Sequence, residues 1–293
     1  MIACIDIGGT SIKIGVLDKE GNIKFKSSLN VYQEWDRFIQ ELITGIEELK
    51  EKFNIEGIGI SSPGAVDTKA GIVGGMSAIP CIHGPNFKEI LSERFNLPVS
   101  IENDANCAAL AENFNGSGKN IDSMLFVVCG TGIGGAILKN GKVHHGENLH
   151  GGEFGYMLME EENGEFKNFS EVASTMSFVR KIRKQYNDQS WDGKKVFKEA
   201  EEGNEKCIEV IDKFYLNLAK GIFNLQYIYD PKLILLGGAI SEREDFIERI
   251  NEKLDYILEK VQIAKVKPIV KACTHKGDAN LIGALANFLN EYN

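Results

Sequence analysis

The stretch IACIDIGGTSIKIGVL, Ile2–Leu17, decides the fold class. An apolar run at Ile2–Ile7 breaks at Gly8 and Gly9 and resumes at Ile12–Leu17, the pattern of two strands joined by a glycine turn. Lys19-Glu20-Gly21-Asn22 turns the chain again, and a third strand follows from Ile23, so the chain opens with an antiparallel meander. The same phrase returns far downstream. Met124–Val128 and Ile133–Leu138 flank Gly130-Thr131-Gly132, and Asn140-Gly141 is a hairpin turn. Gly9-Thr10-Ser11-Ile12 matches Gly130-Thr131-Gly132-Ile133. Such self-similarity predicts two related α/β lobes, each opening with a glycine hairpin.

Between the two phrases, Phe38, Leu42, Ile46 and Leu49 predict a helix over Trp35–Phe53. A strand at Ile55–Ile60 follows and ends in Ser61-Ser62-Pro63-Gly64, which a helix or central strand would not tolerate. Val99–Ile101 is a strand and Asp104–Asn115 a helix. After residue 118 helices dominate. Cys207, Ile208, Ile211, Phe214, Leu218 and Ile222 form one long apolar stripe, stopped by Asp230-Pro231. Leu233–Leu236 is a strand that runs into Gly237-Gly238, and Ser241 is placed to cap a helix.

The formal net charge of -9, without a Lys/Arg cluster, speaks against a nucleic-acid partner. No apolar run is long enough to span a membrane, and MIACIDIGGT lacks the basic start of a signal peptide, so a cytoplasmic protein is expected. The six cysteines (Cys4, Cys81, Cys107, Cys129, Cys207 and Cys273) form no C-x-x-C pair and read as buried reduced thiols.

Several segments can carry chemistry. In Asp6-Ile7-Gly8-Gly9-Thr10 the glycines let backbone N–H groups approach a phosphate, Thr10 offers a hydroxyl and Lys13 a positive charge. Asp6 at the strand end is placed to hold Mg²⁺, directly or through water; a plain hairpin turn with an incidental Asp fits the same residues. Gly130-Thr131-Gly132 offers a second cradle. No Lys-Ser/Thr follows it, as a Walker A loop requires, and it leads into a strand rather than a helix. Gly237-Gly238 would let a nucleoside approach the backbone, or would simply start a helix. In Glu102-Asn103-Asp104-Ala105-Asn106 a strand ends in polar residues and a helix begins at once. Asp104 at that helix N-terminus suits a general base toward a sugar hydroxyl, with Asn103 orienting the sugar; helix capping is the plainer use of either residue. Glu153, in the glycine-rich loop His150–Tyr156, is a carboxylate of the kind that binds sugar hydroxyls.

In this order the motifs Asp6–Thr10, Ser62-Pro63-Gly64, Glu102–Asn106, Gly130–Gly135, Glu153-Phe154-Gly155 and Leu236-Gly237-Gly238 resemble those of the ROK family of sugar kinases and related repressors. The resemblance implies a two-lobed, actin-like (hexokinase-type, ribonuclease H-like) ATPase fold. A small N-terminal lobe is expected over residues 1–118, with a C-terminal helix at about 280–293 packed back on it, and a large lobe over 119–279. It also implies phosphoryl transfer from MgATP to the 6-hydroxyl of a hexose, of glucose, mannose or β-glucoside type, with Asp104 as base. Gly64, Asn103, Glu153 and the weaker match Glu171 would serve the sugar; Gly8–Thr10 and Gly130–Gly132 would serve the phosphates, and Gly237-Gly238 the nucleoside. A homodimer is implied as well.

The chain departs from the family pattern at its zinc site. Tyr156 stands where a histidine is expected and Leu158–Ser174 contains no cysteine, so no structural zinc is expected. That departure resembles a subgroup including β-glucoside kinases and some N-acetylmannosamine kinases, the latter being the alternative substrate. A sugar-responsive repressor of the same family would carry a helix-turn-helix segment ahead of the first glycine motif, and this sequence begins on the first strand.

Overall fold

The computed structural model describes residues 1–292, with residue 162 described by its backbone. The meander consists of β1 (Ile2–Ile7), β2 (Ile12–Leu17) and β3 (Ile23–Leu29). It is followed by α1 (Trp35–Lys52), β4 (Gly57–Ser62), a ribbon of β5 (Ala65–Asp67) and β6 (Ile72–Gly74), α2 (Phe87–Phe95), β7 (Val99–Asn103) and α3 (Asp104–Asn115). The second meander has β8 (Ser123–Cys129), β9 (Ile133–Lys139) and β10 (Lys142–Val143). Then come the hairpin β11 (Leu158–Glu162) and β12 (Glu165–Asn168), followed by α4 (Phe169–Ala173), α5 (Thr175–Tyr186), α6 (Gly193–Glu201) and α7 (Glu205–Tyr229). The chain ends with β13 (Leu233–Gly237), α8 (Phe246–Lys260), β14 (Val270–Ala272) and α9 (Ala279–Tyr292).

The two large sheets repeat one topology. Their strand orders are β3-β2-β1-β4-β7 and β10-β9-β8-β13-β14. In each, the first strand of the meander lies between its second strand and a later parallel one, with a further parallel strand beyond. The chain divides into two compact bodies. The first takes in Met1–Asn120, Ile137–Gly151 and the chain from Gly277 onward; the second takes in Ile121–Ala136 and Gly152–Lys276.

In the first body β1 and β4 are buried along their whole length, as central strands covered on both faces must be. One face carries Ile5, Ile14 and Ile60 against Phe38, Leu42 and Ile46 of α1. The other carries Ile2 and Cys4 against Leu281, Leu285 and Phe288 of α9. That second contact needs glycine: a Cβ on Gly59 would lie 2.5 Å from the Ala284 carbonyl oxygen, and one on Gly283 would lie 1.9 Å from that of Cys107. The α9 helix thus lies backbone to backbone against both the sheet and α3.

Two sequence expectations need correction. Ser61 and Ser62 do not end the strand but belong to β4, pairing with Glu102 and Asn103 of β7. Both residues are fully buried on β4 between β1 and β7, and Ser62 Oγ donates to the Pro63 carbonyl. Ser241 does not cap a helix. It lies within a short 3-10 turn, Ala239–Glu242, and its Oγ donates back to the Gly238 carbonyl, while α8 begins only at Phe246. The Asn140-Gly141 turn is as expected, with φ of 55° and 70°, the double left-handed geometry of a two-residue hairpin.

Candidate active site

The register of the first sheet sets three polar residues at neighbouring strand ends. Asp6 of β1 pairs with Ser61 of β4, and Ser61 pairs with Glu102 of β7, all on parallel strands. The carboxyl ends of parallel strands are where open α/β sheets bind ligands, because the helices that follow start there with unpaired N–H groups.

At the end of β7, Asn103 is the N-cap of α3. Its Oδ1 accepts the N–H groups of Ala105 at 2.9 Å and Asn106 at 3.2 Å. Its Nδ2 donates to the Gly64 carbonyl and to Asp104 Oδ1, each at 3.0 Å. Asp104 Oδ1 also accepts the Ala105 N–H at 2.8 Å, and the residue is only half-buried. Asn103 therefore takes the capping work and Asp104 is held beside it. Gly64 fits because its φ is +100°, where a side chain would also press on the Gly74 carbonyl.

Beneath this pair sits Glu102, only 1% exposed. Its Oε1 accepts the Asn103 N–H at 2.7 Å and Asn106 Nδ2 at 2.9 Å, and its Oε2 lies 2.7 Å from His145 Nε2. Both oxygens are satisfied, as a buried carboxylate requires. The hydrogen bond to Glu102 holds His145 above its ordinary pKa, although burial pulls the other way. Cys107, fully buried one turn into α3, is pushed well above the usual thiol value by desolvation, with Glu102 adding to the effect.

Asp6 is buried, with Oδ2 3.3 Å from Lys13 Nζ and Oδ1 accepting Asn280 Nδ2 at 2.9 Å. Lys13 also donates to the Gly277 carbonyl. Between the two strands, Gly8 N–H donates to the Ser11 carbonyl, and a Cβ on Gly8 would stand 2.9 Å from that oxygen. Thr10 is exposed at the tip of the turn. Among the described residues no three His, Cys, Asp or Glu side chains gather to hold a metal. One buried carboxylate at a strand end does fit Mg²⁺, which takes most of its ligands from phosphates and water.

In the second body, Gly130 N–H donates to the Gly132 carbonyl, while the Gly130 carbonyl accepts both the N–H and the hydroxyl of Thr175. Ser170 Oγ accepts the Ile133 N–H at 2.9 Å, closing the other side of the loop. Gly237 pairs with Val128, which sets Gly237-Gly238 beside the Gly130 loop. Gly238, at φ +94°, would place a Cβ 2.2 Å from the Cys129 carbonyl oxygen. Next to these glycines opens a cavity of about 560 Å³, with walls that include Thr175, Phe178, Val179, Phe197, Ile240 and Arg243. This apolar pocket with a few polar groups was not foreseen from the sequence. Its walls come from three separate segments, none carrying a motif.

Glu153 is exposed in its loop, following Gly152 at φ +95°. Glu171 sits in a capping box at the start of α4, its Oε2 accepting the Asn168 N–H. Tyr156 is 70% exposed. The structure thus gathers Gly64, Asn103 and Asp104 into one hydrogen-bonded group and pairs Asp6 with Lys13. It sets the Gly130 and Gly237 turns side by side, with Glu171 next in sequence to Ser170, whose Oγ closes the Gly130 loop, and Glu153 exposed in its own loop.

Comparison with known proteins places the arrangement. The family model "ROK family" matches residues 2–291. A β-glucoside kinase of Listeria monocytogenes is 34% identical over 299 residues, covering 100% of this chain and 98% of that protein. A solved ROK family protein from Streptococcus pneumoniae, in complex with sucrose, superposes with a TM-score of 0.93 at 40% identity, covering 99% of this chain and 98% of the other. A ROK family glucokinase from Streptomyces griseus, in complex with glucose and AMPPNP, gives a TM-score of 0.77 at 25% identity, covering 97% of each chain. With its actin-like ATPase fold and a family match from end to end, the chain belongs to the ROK family and, within it, to the sugar kinases.

Proposed function

We propose that this kinase transfers the γ-phosphoryl group of ATP to the 6-hydroxyl of a hexose of glucose, mannose or β-glucoside type, with Asp104 as general base. The observation that carries the reading is the Gly64–Asn103–Asp104 group. A half-buried carboxylate is held by two hydrogen bonds at the end of a parallel strand and the start of a helix. A base must be held at one place to accept a hydroxyl proton as the oxygen attacks phosphorus, and positioning is most of what phosphoryl transfer asks of a protein.

Each residue then has a task. Asp104 accepts the proton of the attacking hydroxyl. Asn103 holds Asp104, and both hydrogens of its amide are already committed, so a sugar hydroxyl would meet its Oδ1 lone pairs or displace one of those bonds. Glu153 and Gly64 bind sugar hydroxyls, with Glu171 contributing only if its capping bond is shared. The Gly8–Thr10 and Gly130–Gly132 turns present N–H and hydroxyl donors to the phosphates, and the cavity beside Gly237-Gly238 takes the nucleoside. Lys13 offsets phosphate charge. Asp6 would hold Mg²⁺, which supplies charge neutralisation to the phosphoryl group when bound. Tyr156 in place of a histidine supports a site made without zinc.

The working form we propose is a cytoplasmic homodimer. Among the described residues no helix is long and apolar enough to cross a membrane. N-acetylmannosamine is the second substrate reading. Comparing kcat/KM for glucose, mannose, a β-glucoside and N-acetylmannosamine in a coupled ADP-release assay decides between them. Turnover with none of the four, with ATP hydrolysis unchanged by sugar, would overturn the proposal.

A further inference from the structure

A second cavity lies wholly in the first body, with Glu102 in its lining. Its volume is about 510 Å³, and Lys69, Lys88, Lys142 and His145 line it together with Glu102 and Glu291. The two carboxylates are already committed. Glu102 is held by His145 and the α3 N-terminus, and Glu291 accepts Lys88 Nζ at 2.6 Å. Lys69 and Lys142 make no ion pair among the described residues. Asp67, which also faces His145, spends its Oδ1 on the N–H groups of Lys69 and Ala70. The lining therefore has three lysines and His145 against two carboxylates, and Lys69 and Lys142 are the cations left without a carboxylate partner among the described residues, in a chain whose formal net charge is -9.

We propose that this cavity is a binding site for a phosphate monoester of a small polyol, such as a sugar phosphate. A phosphate monoester is close to a dianion near neutral pH, which matches the two unpaired lysines. A bare phosphate would fill little of the space, whereas a sugar-sized remainder suits a volume within the usual range for small-molecule sites. Asn287, Asn290, Leu110 and Val143 supply mixed polar and apolar wall for that remainder. The ligand would meet His145, whose other contact is the carboxylate that holds the Asn103 N–H, so occupancy reaches the α3 N-terminus by one side chain.

The test is a titration of the full chain, without ATP, by glucose 6-phosphate, inorganic phosphate and glucose. Binding is read by calorimetry and at the His145 ring resonance, assigned by comparison with His145→Gln. Turnover is not used, so failure of the kinase reading leaves the result interpretable. The proposal expects a saturable shift of the His145 signal with the ester, retained in Asp104→Asn and weakened at least about tenfold in Lys69→Ala/Lys142→Ala. Glucose should leave the signal unmoved, and inorganic phosphate should bind more weakly than the ester. Both lysines are exposed, so that variant should melt with the parent. The proposal is overturned by ester binding that leaves His145 unmoved, by undiminished binding in the lysine variant, by equal affinity for inorganic phosphate, or by no saturable binding up to about 10 mM.

Discussion

At Asn103 the side-chain oxygen accepts two helix N–H groups while the nitrogen reaches Gly64 and Asp104, so a change here acts on both folding and chemistry. Asn103→Ala should cost about 0.5–2 kcal/mol of stability for the lost cap, read by denaturant unfolding. It should also lower kcat more than it raises KM, because the proposed base, Asp104, loses its holder. His145 gives a prediction of a different kind. Its folded pKa is raised, so the stability it contributes is fully present below the unfolded histidine value of about 6.5 and fades as pH rises through the higher folded value. Thermal melts of wild type and His145→Gln from about pH 6 to about pH 9 should show the gap in melting temperature widest at the acid end. A gap that widens toward alkaline pH would contradict the pairing with Glu102. That pair was not legible in the sequence: its members lie 43 residues apart, and only the fold of β10 and the turn after it brings them together.

Among the elements, α3 and α9 meet backbone to backbone at Gly283 and Cys107, and the contact leaves no room for a side chain. Gly283→Ala should push the helices apart and destabilise the protein by about 1–3 kcal/mol, seen as a lower melting temperature. Because α3 carries Asn103 and Asp104 at its start, kcat should fall as well. The elements themselves were largely readable. β1 and β2 alternate with a glycine turn, and α3 follows an abrupt change from apolar to polar, so their expected ends match the structure. Misreadings fell where local composition ran against burial or helix start. Ser61 and Ser62 look like loop residues but are enclosed by neighbouring strands, and Ser241 looks like a cap but folds back on Gly238. The glycine turns were visible because a close backbone approach permits little else. The cavity beside Gly238 was not, since α5, α6 and the turn after β13 contribute to it without any pattern of their own.

Over the whole molecule the two bodies carry different parts of the proposed reaction. The carboxylate group is in the first, and the Gly130 and Gly237 turns with their cavity are in the second. Variants in the two bodies should therefore separate kinetically. Gly238→Ala forces a Cβ against the Cys129 carbonyl at a left-handed φ, and it should weaken ATP binding while leaving sugar binding near the parent value, read by calorimetry with each ligand alone. The converse variant is the most direct test of the whole account. Asp104→Asn keeps the size and shape of the side chain but removes the base, and single-turnover phosphorylation of the preferred sugar should slow by about 10²–10⁴-fold while the ATP dissociation constant stays unchanged. Near-parental turnover in that variant would show that the carboxylate at the start of α3 is not the base.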